Sequence, residues 1–158
     1  TGLPRLRQLS LNTNAIRTIS PNAFHGVDLD RLELSQNRLT LAEPWAAERS
    51  PFHPLTNLTH LILGQNSIGR LSRDWTSGLP SLVQLDLTHN NFTELNISIA
   101  QFGERYRDLA VDLSANRIEN VTLQDGEIER DPDDPSVRFK LDDNPLRCTC
   151  ALKAASRC

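Results

Sequence analysis

The chain has 158 residues and a formal charge of −3, with a sequence pI near 5.8, a balance that disfavours nucleic acid and acidic membrane surfaces as partners. Apolar residues make up 38% and aromatics 5%, with no Met, which argues against a thick central core and for a thin one drawn out along an array. No apolar run approaches the roughly 20 residues of a membrane span, no signal peptide opens the chain, and Thr1-Gly2-Leu3-Pro4 reads as the middle of a longer sequence.

Taken in chain order, the predicted elements are copies of one phrase, L-x-x-L-x-L-x-x-N-x-L. It appears as Leu6, Leu9, Leu11, Asn14 and Ile16, and again as Leu29, Leu32, Leu34, Asn37 and Leu39. It returns as Leu58, Leu61, Leu63, Asn66 and Ile68, and as Leu82, Leu85, Leu87, Asn90 and Phe92. Two degenerate copies follow: Val111, Leu113, Asn116 and Ile118, then Phe139, Leu141, Asn144 and Leu146, with Asp108 and Ser136 at the first position. The asparagines are 23, 29, 24, 26 and 28 residues apart, near the leucine-rich period of 20–29. The expected fold is therefore an α/β leucine-rich-repeat solenoid of about six repeats, with a short parallel β-sheet on its concave face.

Each residue type in the phrase has a physical job. L-x-L is a short strand with alternate side chains inward. The asparagine stands where the chain turns off the sheet, and its amide donates to and accepts from backbone groups that the turn leaves unpaired. Asn14, Asn37, Asn66, Asn90, Asn116 and Asn144 should form a polar ladder within the apolar stack. Ile19, Leu71, Leu95 and Val121 close the core from the side, and Phe24, Trp75 and Phe102 pack behind it on the convex side.

Outward strand positions form the concave face, the extended surface that such arrays offer to partners. By register these are Gln8, Ser10 and Asn12; Arg31, Glu33 and Ser35; His60, Ile62 and Gly64; Gln84, Asp86 and Thr88; and Arg138, Lys140 and Asp142. Arg31, Glu33, His60, Ile62, Gln84, Asp86, Arg138 and Lys140 are the binding candidates, and Ile62 is the one notably apolar member. A plainly solvated face is the other reading of the same residues.

Two repeats are stretched. Residues 40–54 carry three prolines, which rule out a continuous helix; the segment is either a binding loop or a spacer whose Trp45 and Phe52 tuck onto the convex side. Residues 124–135 hold six acidic residues against one basic one, without the ligand register of a calcium loop, so they read as a solvated loop. N-x-S/T sequons occur at Asn57, Asn91, Asn96 and Asn120, all outside the inward positions, and are glycan sites if the chain is secreted. Cys148, Cys150 and Cys158 crowd the end. An odd count suggests a missing or intermolecular partner; C-x-C is too tight for a zinc knuckle, and reduced thiols are the alternative.

The closing Asn144-Pro145-Leu146-Arg147-Cys148-Thr149-Cys150 resembles the start of the cysteine-rich C-terminal cap of extracellular leucine-rich-repeat proteins. Residues 48–150 more narrowly resemble insect Toll receptors. The residues that carry this are Ser50-Pro51-Phe52, Asn66-Ser67-Ile68, Asp74-Trp75, Leu85-Asp86-Leu87 with Asn90-Asn91, Val111-Asp112-Leu113, and Leu141-Asp142-Asp143-Asn144-Pro145-Leu146 leading into Cys148 and Cys150. The resemblance implies repeats over 1–146 without an N-terminal cap, and a truncated cap over 147–158. It implies the C-terminal part of the first repeat block of a single-pass plasma-membrane receptor of immunity and development. Its ligand would be a Spätzle-type cystine-knot cytokine, with a second receptor chain as a further partner. Cys158 follows sooner than the family's later cap cysteines, so the pairing of Cys148 and Cys150 stays open.

Catalysis finds no support. G-x-S-x-G, H-E-x-x-H, G-x-G-x-x-G and phosphate-loop motifs are absent, and the only lysines are Lys140 and Lys153. Asp86 and Asp112 are placed two repeats apart, too far to act as a carboxylate pair. No catalytic, metal or cofactor residue is assigned. The competing function is that of a secreted or adhesion leucine-rich-repeat matrix protein. An open strand edge beside Leu6, Leu9 and Leu11 predicts self-association.

Overall fold

The computed structural model describes residues 5–41, 50–70, 79–98, 106, 108–124 and 137–147. Six three-residue strands make one parallel sheet: β1 (Gln8–Ser10), β2 (Arg31–Glu33), β3 (His60–Ile62), β4 (Gln84–Asp86), β6 (Ala110–Asp112) and β8 (Arg138–Lys140). The order β1-β2-β3-β4-β6-β8 follows the chain, as it must when each coil stacks on the one before. Register is set by the repeat: Leu9, Leu32, Leu61, Leu85, Val111 and Phe139 form one inward row. Slipping a strand by one residue would turn its leucine to solvent. Leu32, Leu61 and Leu85 are fully buried, while Leu9 and Phe139 at the two ends are partly so. Among the described residues there is no helix.

The degenerate copies solve the core problem differently from the full ones. Asp108 and Ser136 occupy the first leucine position, and Leu109 and Val137, one residue later, are buried instead. Inward side chains then alternate strictly, as Leu109, Val111 and Leu113 and as Val137, Phe139 and Leu141. The weakening pattern is thus a change of register before the strand and leaves no hole behind it.

Leu95 and Val121, which the sequence offers only as single apolar positions, belong to a second sheet. Strands β5 (Glu94–Ser98) and β7 (Asn120–Gln124) pair in parallel, with Glu94 opposite Asn120 and Asn96 opposite Thr122. Leu95 and Val121 lean on the core, and Glu94, Asn96, Asn120 and Thr122 are exposed. On the convex side Phe24 and Phe52 are buried and stacked, with centroids 6.2 Å apart. Phe52 therefore follows the spacer reading of the first stretch. Trp45, Trp75, Phe102 and the acidic segment 125–135 lie outside the described residues. Buried Tyr106, which the sequence pattern does not single out, donates its hydroxyl to Leu79 O at 2.9 Å.

Candidate functional site: the concave sheet and its ladder

The ladder builds the surface, so it comes first. Asn66 Nδ2 donates to Leu34 O at 2.9 Å and Leu63 O at 3.0 Å, and its Oδ1 accepts from Leu39 N at 2.9 Å. One side chain thereby ties the backbone of its own coil to that of the coil before. Asn37, Asn90, Asn116 and Asn144 repeat the pattern, from Leu11 and Leu34 through Leu113 and Leu141. Their Oδ1 atoms accept from Ile16, Ile68, Phe92 and Ile118 N. Exposed Asn14 bonds only within its own turn, to Leu11 O and Asn12 O. Asn37, Asn66, Asn90 and Asn116 are buried.

The residue before each ladder asparagine is left-handed: Thr13, Gln36, Gln65, His89, Ala115 and Asp143 have φ between 52° and 57°. That conformation costs a non-glycine residue roughly 1–2 kcal/mol. It is held because five of these N–H groups extend the parallel pairing by one rung, for instance Gln65 N to Thr88 O at 2.8 Å. The repeat consensus carries no sign of it, because residues as different as Thr, Gln, His, Ala and Asp stand there.

Above this frame the concave face divides into three zones. Toward β1, Arg31 Nε donates to Glu33 Oε1 at 2.7 Å, and Asn12 Nδ2 reaches Glu33 Oε2 at 2.9 Å. The Arg31 guanidinium chiefly holds the Glu33 carboxyl below its ordinary range. Toward β8, Arg138 pairs with Asp108 at 2.6 Å, and Lys140 lies between Asp112 at 3.5 Å and Asp142 at 3.6 Å. Partial burial pushes the Asp112 carboxyl up. The Ser114 hydroxyl dipole, the Ser114 N–H at 2.9 Å and the Lys140 ammonium together outweigh that and lower it. The Ser114 hydroxyl is buried and makes no hydrogen bond of good geometry.

Between these ionic ends lie His60, Ile62, Gln84 and Asp86, side by side on β3 and β4. Thr59 Oγ1 meets His60 Nδ1 at 2.8 Å, and His60 is partly exposed. Asp86 Oδ1 accepts from Thr88 N at 2.9 Å and Thr88 Oγ1 at 2.8 Å, and Asp86 has no cationic partner among the described residues. Gly64 makes room for this pair, since a Cβ there would stand 2.9 Å from Thr88 Oγ1 and 3.2 Å from Asp86 Oδ1.

One expectation is corrected here. Asp86 and Asp112 are register partners on adjacent strands, one repeat apart, because β6 pairs directly with β4 while β5 leaves for the second sheet. They nonetheless differ in role, Asp112 being bound to Lys140 and Asp86 to Thr88. Among the described residues no group of three His, Cys, Asp or Glu is arranged to hold a metal ion. Asn57, Asn91, Asn96 and Asn120 are exposed, and Asn57 Nδ2 donates to Asp28 Oδ1 at 2.8 Å. Cys148, Cys150 and Cys158 lie outside the described residues.

The asparagine-laddered parallel stack agrees with a family model. The model described as "Leucine rich repeat" matches residues 1–39 and 44–92, more than half of the chain. The chain belongs to the leucine-rich-repeat family. Among curated relatives, protein toll of Drosophila melanogaster is 31% identical, over 78% of this chain and 12% of toll. Trophoblast glycoprotein of Macaca fascicularis is 29% identical, over 95% of this chain and 39% of that protein. Among solved structures, the glycosylated form of the Toll–Spatzle complex, a molecular hub in Drosophila development and innate immunity, superposes with a TM-score of 0.74. That match is 30% identical and covers 94% of this chain and 20% of the solved one. The repeats here thus have Toll-like form, and the chain spans well under half the length of each of these proteins. Among the described residues no helix is long and apolar enough to cross a membrane.

Proposed function

We propose that this chain is part of the extracellular region of a Toll-type receptor, and that its concave sheet takes a protein ligand of the Spätzle-type cystine-knot class. The observation that carries the reading is the fit to the Toll–Spatzle structure along 94% of the chain, beside a concave face whose centre is free of ion pairs. A protein partner gains most where it covers apolar and singly polar groups, with charged groups left at the rim. His60, Ile62, Gln84 and Asp86 form such a centre. Arg31–Glu33 and Lys140 with its two aspartates form the rim, where a contact adds specificity more than affinity.

Binding of recombinant Drosophila Spatzle to the immobilised chain tests this. The wild-type chain should bind, and Ile62→Asp, which sets a charge in the centre without touching the core, should weaken binding at least about tenfold, the scale of a hot-spot loss. Absence of binding, or an unchanged affinity in the variant, refutes the reading.

The similarity to trophoblast glycoprotein over 95% of the chain favours a second reading, a surface or matrix leucine-rich-repeat protein without a cytokine ligand. The full reading frame separates the two: a membrane span followed by a Toll/interleukin-1-receptor domain belongs to the first reading only.

A further inference from the structure

Three of the four sequons converge on one flank. Asn96 and Asn120 share the exposed face of the β5–β7 sheet, since Glu94 is opposite Asn120 and Asn96 opposite Thr122. Strands about 4.8 Å apart and a two-residue step of about 6.6 Å place the two asparagines roughly 8 Å apart on the diagonal. Thr122, the hydroxyl residue of the Asn120 sequon, faces Asn96 across the pair. Asn91 is exposed at the entry to β5, directly after the buried ladder residue Asn90. Among the described residues, Asn91, Asn96 and Asn120 make no side-chain hydrogen bond, whereas Asn57 is bound to Asp28.

We propose that Asn91, Asn96 and Asn120 all carry N-linked glycans, and that these glycans close the β5–β7 flank to macromolecular partners, leaving the concave sheet open. In the modification each asparagine Nδ2 bonds to C1 of the first sugar of a lipid-pyrophosphate-linked oligosaccharide. The C1–O bond to the pyrophosphate breaks, the lipid pyrophosphate leaves, and one amide proton is lost to base. Transfer must precede pairing of β5 with β7, because the extended, paired strands hold both sequons fixed. The folded sheet then tolerates the product: the acceptors point away from Leu95 and Val121, so no packing is displaced. Two branched sugars roughly 8 Å apart leave no width for a protein to reach Glu94 or Thr122 between them. The outward residues Glu94, Asn96, Asn120 and Thr122 are polar and exposed, so the sugars cover no core; what they cover is the outward face of the second sheet.

The inference rests on the secretory reading under Proposed function, but its test uses no ligand. The chain is secreted from eukaryotic cells and deglycosylated enzymatically in heavy-oxygen water, which turns each sugar-bearing asparagine into a mass-tagged aspartate. Tags are expected at Asn91, Asn96 and Asn120; secreted chain untagged at Asn96 and Asn120 overturns the proposal. Carbodiimide labelling tests the shielding, with the double variant Asn96→Gln, Asn120→Gln as comparison. Glu94 should label several-fold faster in the variant, while Asp142 on the concave side labels equally in both. Equal rates at Glu94 overturn the shield even where the tags are found. A chain that binds Spatzle yet lacks the tags fails this inference alone; a tagged and shielded chain that does not bind fails the ligand reading alone.

Discussion

At the residue scale, Asn37, Asn66, Asn90 and Asn116 of the ladder make up four of the six buried polar residues among the described ones. Asn66 satisfies Leu39 N and the carbonyls of Leu34 and Leu63 from a buried position. Replacing Asn66 by Leu keeps the volume and orphans those groups. With each unsatisfied group costing roughly 1–3 kcal/mol, the loss should be about 3 kcal/mol or more, read from the urea midpoint. Asn14→Leu should cost about 1 kcal/mol, because its turn is exposed and water replaces the lost bonds; equal losses in the two variants would dissolve the ladder argument. Asp112 gives a pH signature. Its carboxyl sits below its ordinary value of 3.8 in the fold, so it adds stability above that value and loses it as the pH falls through the lowered one. Asp112→Ala should therefore have a shallower loss of stability than wild type below about pH 4, seen by chemical denaturation at pH 7 and pH 3. Parallel losses would contradict the assignment.

At the scale of elements, the six strands were legible because L-x-L and the asparagine recur with a fixed offset, which survives any change in the residues between. The register change at Leu109 was hidden, because a consensus scores Asp108 as a missing leucine and cannot see that its neighbour fills the same space. Leu109→Ala should cost about 3 kcal/mol, as a fully buried leucine does, and Asp108→Ala under about 0.5 kcal/mol, because its ion pair with Arg138 is exposed. The reverse order in thermal unfolding would restore the plain consensus. The second sheet was hidden for another reason. Its strands begin beyond the consensus phrase, at Glu94 after Asn90 and at Asn120 after Asn116, and their pairing depends on two neighbouring coils presenting extended segments at the same offset, which no single repeat reveals. The left-handed residue before each asparagine was likewise invisible. Ala115→Gly should raise stability by up to about 1 kcal/mol, the strain of a left-handed alanine less the entropy of glycine; a destabilised variant would show that the conformation is not strained.

At the scale of the molecule, one parallel sheet gives the chain two unlike surfaces. The concave face is patterned by register, so its centre at β3 and β4 and its ionic rims follow from which outward residues neighbour each other. Individual outward residues were readable from the sequence, but their grouping into zones was not, since ion pairs such as Lys140 with Asp112 and Asp142 depend on side chains from successive coils and turns. Asp86 and Asp112, by contrast, stand in consecutive copies of the phrase, so their place on neighbouring strands was legible in the repeat itself. The flank carrying β5 and β7 is patterned by sequons, and its described outward residues Glu94, Asn96, Asn120 and Thr122 are polar and exposed.

Covalent footprinting of the chain with hydroxyl radicals, alone and saturated with Drosophila Spatzle, reads both surfaces in one experiment. The account predicts protection at His60, Ile62 and Gln84, with Glu94 and Thr122 unchanged. Protection on the β5–β7 flank with the centre of β3 and β4 still open to radicals would contradict it.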